Sequence, residues 1–595
     1  MTRPFDSSAH DSRSARRGLR LLAQIIAERR GDAARSMAGA VVWMLSVVAL
    51  PYTVSTVIDG TIAVGTTDGL ALLALVVVSI GVLQAAGIGV RRYFGFRLAY
   101  RAEAELRNRM FEHIQRLAFA FHDQTSTGQL MARASSDLSQ VRLIAVMFPI
   151  TFANVAMLAT VVVVLIVIDP VLGATSGIMV PVLLLASVRY SRRVIALSFE
   201  VQERLADLSQ IVEEAIGGIQ VVKAYGQEAQ EQRRLDRMAS LIYDRTIAIA
   251  RQSATFSPLF ELIPSAGTLA VLWLGGFRVL DGAMSSGEFV AFTLYLVALV
   301  MPIRMTGWFF AQLPRAAAAA TRVVDLLATA PEVADPSAPL RLPAGPGEVV
   351  LRGVMFAYHG GPAVLRGVDL TIPGGSAVGL VGATASGKTT LAHLIPRFHD
   401  VDEGAVVLDG VDVRDLSLDE LRHEVAVVFQ ETFLFSASIR DNIAVGDPDA
   451  DDSRVRAAAR LAQAHEFICR FDDGYDTVVG ERGLSLSGGQ RQRVALARAV
   501  LRDPRVLILD DATSSVDAVV EAEIQAALRR VMAGRTTIIV AHRTSTLALV
   551  DRVVFLEDGA IAAAGTHDEL LATVPRYGAV LAFGDGRIPA DEVAP

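Results

Sequence analysis

The first half of the chain alternates long apolar runs with charged segments, whereas residues 348–585 show the mixed pattern of a soluble domain. Six of the apolar runs are close to the length that a helix needs to cross a bilayer, roughly 20 residues. These runs cover residues 37–58, 69–90, 144–168, 171–188, 253–277 and 288–312. The pattern therefore predicts six membrane-spanning helices.

The third and fourth apolar runs are separated only by Asp169 and Pro170. An unbroken helix over both runs would be far too long for one crossing, and proline readily ends a helix. We therefore expect a tight hairpin at Asp169–Pro170. Six crossings return the chain to the side of the membrane on which it starts.

The distribution of positive charge predicts which side that is. Residues 91–143 contain nine arginines and residues 189–252 are also basic, whereas residues 59–68 contain neither lysine nor arginine. Basic loops remain on the cytoplasmic side of a membrane. Both basic segments, and both chain termini, are therefore predicted to be cytoplasmic.

Each of these basic segments is more than 50 residues long and shows apolar residues at helical spacing. Unstructured loops of this length are uncommon. We expect helices that extend well beyond the bilayer and turn back near residues 121–128 and 224–228. The alternative is a pair of ordinary cytoplasmic loops.

Two charged residues, Glu261 and Arg304, lie inside the fifth and sixth apolar runs. Charges at membrane depth are costly and usually pair or face water. One hypothesis is that the two residues pair or jointly line a substrate cavity. The alternative is that both lie at the membrane interface.

Composition shifts predict the domain boundaries. The arginine-rich start of the chain reads as a cytoplasmic leader, either solvated or lying along the bilayer as an amphipathic helix, and an alanine-rich stretch followed by five prolines reads as a linker. The predicted divisions are a leader at 1–36, a membrane domain at 37–315, a linker at 316–347, a soluble domain at 348–585 and a tail at 586–595.

Composition also excludes some functions. The apolar share of 52% exceeds the value usual for soluble proteins, which agrees with membrane-buried surface. The net charge of −7 argues against nucleic acid as a partner. Cys469 is the only cysteine, so the chain can form no intrachain disulfide.

The soluble domain contains a phosphate-binding loop. The segment Gly382–Thr389 reads GATASGKT, follows the strand-like run Ala377–Val381 and precedes a helical pattern. In such a loop backbone amides face the phosphates, the lysine reaches the β and γ oxygens, and the threonine hydroxyl faces Mg²⁺. ATP and Mg²⁺ are therefore the predicted ligands. The predicted nucleotide-binding residues here are Gly382, Ala383, Thr384, Ala385, Ser386, Gly387, Lys388, Thr389 and Thr390.

Two further motifs connect this loop to a known family. The apolar strand Val506–Asp510 ends in an aspartate suited to Mg²⁺, and Leu486–Gln490 reads LSGGQ. With these motifs the chain resembles the ATP-binding cassette family, whose signature is LSGGQ before a helix. Its order, with the membrane domain before the cassette, resembles that of exporter-type half-transporters.

The resemblance implies both a fold and a partner. The fold is an all-α, six-helix transmembrane domain with long cytoplasmic helical extensions, followed by an α/β P-loop nucleotide-binding domain. Cassettes of this family work as head-to-tail pairs, so a second half-transporter is expected. The signature residues implied to meet the nucleotide of the partner are Ser487, Gly488, Gly489 and Gln490.

Individual roles follow from the same resemblance. Tyr358 matches the aromatic residue that stacks on adenine, although a tyrosine in a core strand is the alternative. The residues implied at the Mg²⁺ and γ-phosphate end are Gln430 and Asp510 for the metal and His542 for the γ-phosphate. Ser514–Asp517 match a loop that crosses the dimer interface, and Thr477–Gly483 resembles an exporter segment in which Val478 replaces an acidic residue.

One residue departs from the family pattern. Asp511 stands where the family has a glutamate, the general base that polarises the attacking water. An aspartate is one methylene shorter, and displacing a catalytic group by about 1 Å can lower a rate roughly 10²-fold. We expect this chain's own site to bind ATP and hydrolyse it slowly. With an intact signature, that expectation favours a heterodimer, whereas the retained His542 keeps a homodimer open.

A second departure is Ala385, which replaces a glycine usual in these transporters. Because alanine disfavours positive φ, the loop is expected either to use ordinary backbone geometry there or to carry strain.

Three functions are open at this point. The first is export of a hydrophobic or amphipathic compound across the cytoplasmic membrane. The second is import by the same fold, for example of a siderophore. The third is a regulatory or channel subunit in which nucleotide binding gates a partner.

Overall fold

A computed structural model of the chain describes residues 7–63, 65, 67, 69–480, 483, 485–511, 518–541 and 543–584, with side chains from residue 16 onwards except those of 518–523 and 583–584. His542 and Ser514–Asp517 lie outside the described residues. The chain divides into two compact units, Met1–Gln115 with Thr127–Thr329 and Arg116–Ser126 with Ala330–Pro595. Each unit is considered separately.

The first unit is helical. Its helices are α1 (Ser7–Glu28), α2 (Arg30–Val57), α3 (Leu70–Arg116), α5 (Thr127–Ala132), α6 (Leu138–Ile168), α7 (Pro170–Gly217), α8 (Ile219–Tyr225), α9 (Glu228–Leu280) and α10 (Ser286–Ala328), and the short α4 (Phe119–Gln124) belongs to the second unit. Single π-helical turns, Ile58–Ile62 and Arg133–Asp137, extend α2 and precede α6.

Six helices of the described structure are long and apolar enough to cross a membrane, which confirms the six predicted spans. Helices α3, α7 and α9 contain 47, 48 and 53 residues, more than twice the roughly 20 that one crossing needs. The predicted helical extensions are therefore confirmed. Residues 226–227 form the predicted second turn, where Gly226 has a φ of 60°, and the first predicted turn, 121–128, holds the end of α4, a break and the start of α5.

The hairpin between α6 and α7 forms as the sequence predicts. Asp169 is extended, and its carboxylate accepts hydrogen bonds from the backbone N–H groups of Val171 and Leu172, both at 3.0 Å. Pro170 occupies the first helical position, where its missing N–H costs nothing. Arg278 of α9 forms an ion pair with the same buried carboxylate. Asp169 thus caps α7 and also connects α7 to α9.

Close backbone packing orders the helices around an apolar core. Helices α2 and α3 cross where a Cβ placed on Gly39 would lie 2.8 Å from the carbonyl oxygen of Gly87. On the core side, Tyr295 is buried and donates a hydrogen bond to the backbone oxygen of Val48 at 2.6 Å. Asp59, in the π-helical turn that follows α2, accepts hydrogen bonds from the hydroxyl of Ser285, the N-cap of α10, and from the Gly287 N–H in its first turn.

Helix α1 is packed against the rest of the first unit and is not a solvated leader. Helix α1 packs against α10, and a Cβ placed on Gly18 would lie 2.0 Å from the backbone oxygen of Ala317. Leu22 and Ile25 are buried, and Arg17 pairs with Asp325 at 2.9 Å. The solvated interpretation was wrong because the apolar stripe of α1 finds a protein surface.

The hypothesis that Glu261 and Arg304 pair was also wrong for this structure. Both side chains are exposed, and no ion pair joins them among the described residues. The Arg304 guanidinium instead lies 5.5 Å from the ring centroid of Phe260, at cation–π distance. The neighbouring aromatic ring, one residue before Glu261, takes the place of the carboxylate.

The alanine-rich stretch after the sixth span continues as helix. Helix α10 extends to Ala328, so the first part of the segment 316–347 is helical and buried on one side. The division between the two compact units falls after Thr329, whereas the sequence placed the end of the membrane domain at residue 315. Irregular chain follows from residue 329 to residue 348.

The second unit contains two β-sheets. Its strands are β1 (Val349–Phe356), β2 (Leu365–Ile372), β3 (Ala377–Gly382), β4 (Glu403–Leu408), β5 (Val411–Asp412), β6 (Val425–Val428), β7 (Val506–Asp510), β8 (Thr536–Val540), β9 (Arg552–Glu557) and β10 (Ala560–Gly565). One sheet has the order β2-β1-β4-β5 and is antiparallel, and the other has the order β10-β9-β3-β8-β7-β6. In the second sheet the strands from β9 to β6 are parallel.

Helices cover this parallel sheet. They are α11 (Lys388–Leu394), α12 (Leu418–Glu424), α13 (Ile439–Ala444), α14 (Asp452–Leu461), α15 (His465–Ile468), α16 (Gly488–Leu501), α17 (Ala518–Met532), α18 (Thr544–Leu547), α19 (His567–Thr573) and α20 (Pro575–Gly584). Strands β3 and β7 both pair in parallel with β8, where Leu380 and Asp510 lie opposite Val540, and β3 continues to Gly382. Loops that leave these ends therefore meet at one edge of the sheet, where open α/β sheets bind ligands.

Candidate ATP site

The phosphate loop connects β3 to α11 and wraps around the Lys388 side chain. The Lys388 ammonium donates hydrogen bonds to the backbone oxygens of Gly382 and Ala383 at 2.8 and 2.7 Å. Burial lowers the pKa of this ammonium from 10.5 to about 8, although the charges of Asp510 and Asp511 raise it. The buried cation lies at the centre of the loop, where it can exchange two carbonyl partners for phosphate oxygens.

A hydroxyl and a carboxylate lie side by side next to this loop. Thr389, in the first turn of α11, donates a hydrogen bond from its hydroxyl to Asp510 Oδ1 at 3.1 Å. Asp510 ends β7 and is buried. Mg²⁺ prefers oxygen ligands and is usually bound by one or two carboxylates together with phosphates. This oxygen pair fits the predicted Mg²⁺ site.

His393 lies on the other side of Asp510. Its Nε2 is 3.8 Å from Asp510 Oδ2, and burial lowers the pKa of the imidazole below 6.5, against the opposing effect of the two nearby carboxylates of Asp510 and Asp123. Burial therefore disfavours the charged imidazolium form of this ring beside Asp510.

Gln430 and Asp511 form a second pair at the same edge of the sheet. Gln430 follows β6, and its Nε2 donates a hydrogen bond to Asp511 Oδ2 at 3.1 Å. The N–H of Asp511 donates to the backbone oxygen of Val540 at 3.1 Å. Asp511 is buried and has a φ of 46°, a conformation that aspartate tolerates better than most residues. The carboxylate is therefore held in one position by its backbone and by Gln430.

Tyr358 lies beside α11. Its hydroxyl is 3.1 Å from the Thr390 hydroxyl, and its ring meets those of Phe356 and His399 edge to face. The side chain is half-buried rather than enclosed in the sheet core. This placement next to the phosphate loop agrees with an adenine-binding role, which stays a prediction.

The signature segment forms the start of α16. Ser487 accepts a hydrogen bond from the Gln490 N–H at 3.3 Å, and Gln490 Oε1 accepts one from the Ser487 N–H at 2.9 Å. This reciprocal capping box fixes the first turn, and Gly488 and Gly489 leave it without bulky side chains. A helix N-terminus of this kind favours anions.

The chain matches two family models in order. Residues 36–303 match the ABC transporter transmembrane region, and residues 365–514 match the ABC transporter domain. A curated ATP-dependent lipid A-core flippase from Chromohalobacter salexigens is 36% identical over 92% of this chain and 94% of that protein. The chain belongs to the ABC transporter family. It is a multi-pass membrane protein with a C-terminal ATP-binding cassette.

Other members of the ABC transporter family are similar over most of the chain. A multidrug efflux ATP-binding/permease protein from Mycobacterium bovis is 40% identical over 82% of this chain but only 41% of that protein. The chain thus spans less than half the length of this mycobacterial relative. A solved structure of a bacterial Atm1-family ABC exporter with ATP bound has a TM-score of 0.79 and 26% identity, and covers 94% of this chain and 99% of that chain.

A cluster of stacked aromatic side chains next to the ABC transporter's ATP site was not predicted from the sequence. In the second unit, Phe119 of α4 stacks on Phe398 with ring centroids 4.4 Å apart, and Phe398 stacks on Phe429 at 5.9 Å. Phe429 immediately precedes Gln430. Gln124 Nε2 also lies 2.7 Å from His359 Nδ1. Phe398 and Phe429 therefore connect α4 to the residue that precedes Gln430, whose side chain holds Asp511.

Of the two backbone conformations that the sequence left open for Ala385, the structure has the strained one. Its φ is 66°, in the left-handed region that costs an L-residue about 1–2 kcal/mol. We expect Ala385→Gly to relieve this strain and to stabilise the second unit by about 1 kcal/mol, less the entropy that glycine adds to the unfolded chain. The midpoint of thermal unfolding of the full transporter chain, with and without ATP, measures this effect.

A matched substitution controls for the entropy of glycine. Ala457 is exposed within α14, where alanine is the preferred residue. Ala457→Gly should therefore destabilise the chain by about 1 kcal/mol. Equal destabilisation by both variants would show that the left-handed conformation at residue 385 carries no strain.

Proposed function

We propose that the chain is one half of an ATP-driven exporter of a hydrophobic or amphipathic compound, with both termini in the cytoplasm. The observation that carries this proposal is the convergence of Lys388, Thr389 and Asp510 at one sheet edge, in a chain with six candidate spans. The arginine-rich segments between the spans support the orientation. The names of the relatives, a lipid A-core flippase and a multidrug efflux protein, support an apolar or amphipathic cargo.

The chain's own residues divide the work of the ATP site. Lys388 would leave its two carbonyl partners and bind phosphate oxygens, and Tyr358 would stack on the base. Thr389, Asp510 and Gln430 would hold Mg²⁺, which shields the phosphate charge when it is bound. Asp511 would accept a proton from the attacking water, and His542 would contact the γ-phosphate.

We further propose that the working transporter is a heterodimer. The shortened carboxylate of Asp511 weakens the site on this chain's phosphate loop, whereas Ser487–Gln490 form an intact, capped helix start that completes the partner's site. The partner would then carry a glutamate at the equivalent position. ATP binding would close both cassettes and open the membrane domain outward, and hydrolysis at the partner-based site would reset it.

The ATPase rate of purified protein tests this assembly. We expect the chain alone to hydrolyse ATP slowly, and a complex with a half-transporter that has the catalytic glutamate to hydrolyse it at least tenfold faster. Rapid turnover by the chain alone, in membranes and without a partner, would contradict the heterodimer and favour a homodimer that tolerates Asp511.

A regulatory subunit is the second candidate, and Asp511 is the observation that favours it. In that case ATP would gate a partner, and no compound would stimulate hydrolysis by the assembled complex. Uptake into inverted membrane vesicles separates the remaining functions, because an exporter concentrates its cargo inside such vesicles and an importer does not.

A further inference from the structure

An apolar pocket lies in the first unit among α1, α2, α3 and α6. Its volume is about 190 Å³, and its apolar lining includes Ile26, Met37, Leu98, Phe148 and Pro149. Pockets for drug-sized ligands usually measure roughly 300–1,000 Å³. A pocket this small is better suited to a segment of one acyl chain than to a compact multi-ring compound.

The pocket lies where the apolar runs begin and end. Met37 begins the first apolar run, and Phe148 lies in the first turns of the third. Leu98 belongs instead to the arginine-rich segment that follows the second run. The pocket is therefore placed at the membrane–water interface, where the phosphate and glycerol groups of lipids lie.

Three arginines beside this pocket share one carboxylate. The carboxylate of Asp32 lies 3.7 Å from Arg35 Nη1, 3.5 Å from Arg97 Nε and 3.9 Å from Arg101 Nη1. Three positive charges face one negative charge, so the cluster keeps a net excess of positive charge. Charge-assisted N–H···O hydrogen bonds are usually about 2.7–2.9 Å long. All three contacts are longer, and the guanidinium groups therefore keep donors for a stronger acceptor.

The charged cluster and the pocket share the same helical turns. Asp32 and Arg35 flank the pocket-lining residues Ala33 and Ala34, and Arg97 directly precedes Leu98. Arg97 Nε is buried and has no hydrogen-bond partner in the part of the chain that the structure describes. This donor makes only the long ion-pair contact with Asp32 and lies next to an apolar pocket, so it suits an anionic ligand with a hydrocarbon tail.

We infer that this region binds an anionic phospholipid, with its phosphate on Arg35, Arg97 and Arg101 and one acyl chain in the pocket. Each arginine close to an anionic lipid contributes about a fivefold gain in affinity. The site is separate from the ATP site and does not depend on which compound is transported. Its assignment to the cytoplasmic leaflet depends on the proposed orientation, but the binding itself does not.

The test titrates phosphatidylglycerol and phosphatidylcholine of identical acyl chains into the purified full chain and counts bound lipids by native mass spectrometry. We expect phosphatidylglycerol to bind at least tenfold more tightly than phosphatidylcholine. The double variant R35Q/R101Q, at two side chains that are more than half exposed, should abolish this preference. The double variant R192Q/R193Q removes the same charge from exposed positions on α7 and should preserve it.

A second pair of variants tests the pocket without changing charge. Ala34 is exposed and lines the pocket, whereas Ala38, one turn later on α2, is exposed and does not. Ala34→Phe should lower phosphatidylglycerol affinity about tenfold, and Ala38→Phe should leave it unchanged. Equal binding of the two lipids, or equal losses in both double variants, would overturn the site. Unchanged binding by Ala34→Phe would overturn the acyl-chain pocket.

Discussion

Replacing Asp511 with glutamate is expected to raise the ATPase rate of the purified chain by about 10- to 100-fold. Asp511 is buried, and both its backbone and Gln430 hold its carboxylate in place, so it cannot move outward to compensate for its missing methylene. Glutamate is one methylene longer and moves the carboxylate outward by about 1 Å. A displacement of that size at a catalytic group can change a rate roughly 10²-fold. Steady-state phosphate release at saturating ATP measures the change.

The same substitution should lower stability slightly. Residue 511 has a φ of 46°, which aspartate tolerates and glutamate does not favour, so Asp511→Glu should cost up to about 1 kcal/mol of unfolding free energy. Faster hydrolysis together with a lower unfolding midpoint would thus show that the longer side chain places its carboxylate better, and not that the substitution stabilises the protein.

Asp510→Glu is the matched control for this prediction. It makes the same chemical change one residue earlier, at the carboxylate that the Thr389 hydroxyl contacts, and should lower hydrolysis because it crowds the metal position. An Asp511→Glu rate at or below that of the natural chain would refute the shortened-base explanation.

Removing Arg278 is expected to destabilise the first unit by about 3 kcal/mol. Asp169 is 2% exposed, and Arg278 is its ion-pair partner, so Arg278→Gln leaves a buried carboxylate without a neutralising charge. Removing one partner of a fully buried pair typically costs about 3–5 kcal/mol, and the 38% exposure of Arg278 places the cost here at the lower end. Asp169 still accepts hydrogen bonds from two backbone N–H groups at the start of α7. These hydrogen bonds stabilise the carboxylate and also keep the expected cost low. Thermal unfolding of the chain in detergent, followed by tryptophan fluorescence, measures the loss.

An exposed ion pair provides the comparison. Arg204 and Asp207 lie 3.4 Å apart on α7 with side chains that are 42% and 44% exposed. Such pairs contribute about 0–1 kcal/mol, so Arg204→Gln should shift the unfolding midpoint little. If Arg278→Gln shifted it no more than Arg204→Gln does, the ion pair between Arg278 and Asp169 would contribute no more to stability than an exposed pair.

The sequence predicted the features that depend on neighbouring residues. Apolar length predicted the six spans, the helical spacing of apolar residues predicted their extensions, and the break at Asp169–Pro170 predicted the hairpin. The pattern around Lys388 predicted a loop that the structure closes on that side chain. In each case the physical cause lies within a few residues of the signal.

The features that the sequence did not predict depend on distant partners. Leu22 and Ile25 have the same spacing in the sequence whether they face lipid, water or α10. Only the close approach of Gly18 to Ala317 in the folded chain shows that they face α10. Arg304 met an aromatic ring because residue 260, and not residue 261, faces it. For Ala385 the sequence left two backbone conformations open, and the closure of the loop around Lys388 required the left-handed one.

The stacking of Phe119 on Phe398 has a practical consequence for dissecting the chain. The eleven residues 116–126 come from between two helices of the first unit, yet they belong to the second. A fragment that begins at residue 330 would lose Phe119 and leave the ring of Phe398 uncovered, so it should be prone to self-association. A chimaera that exchanges cassettes between relatives therefore has to transplant two stretches of sequence, not one.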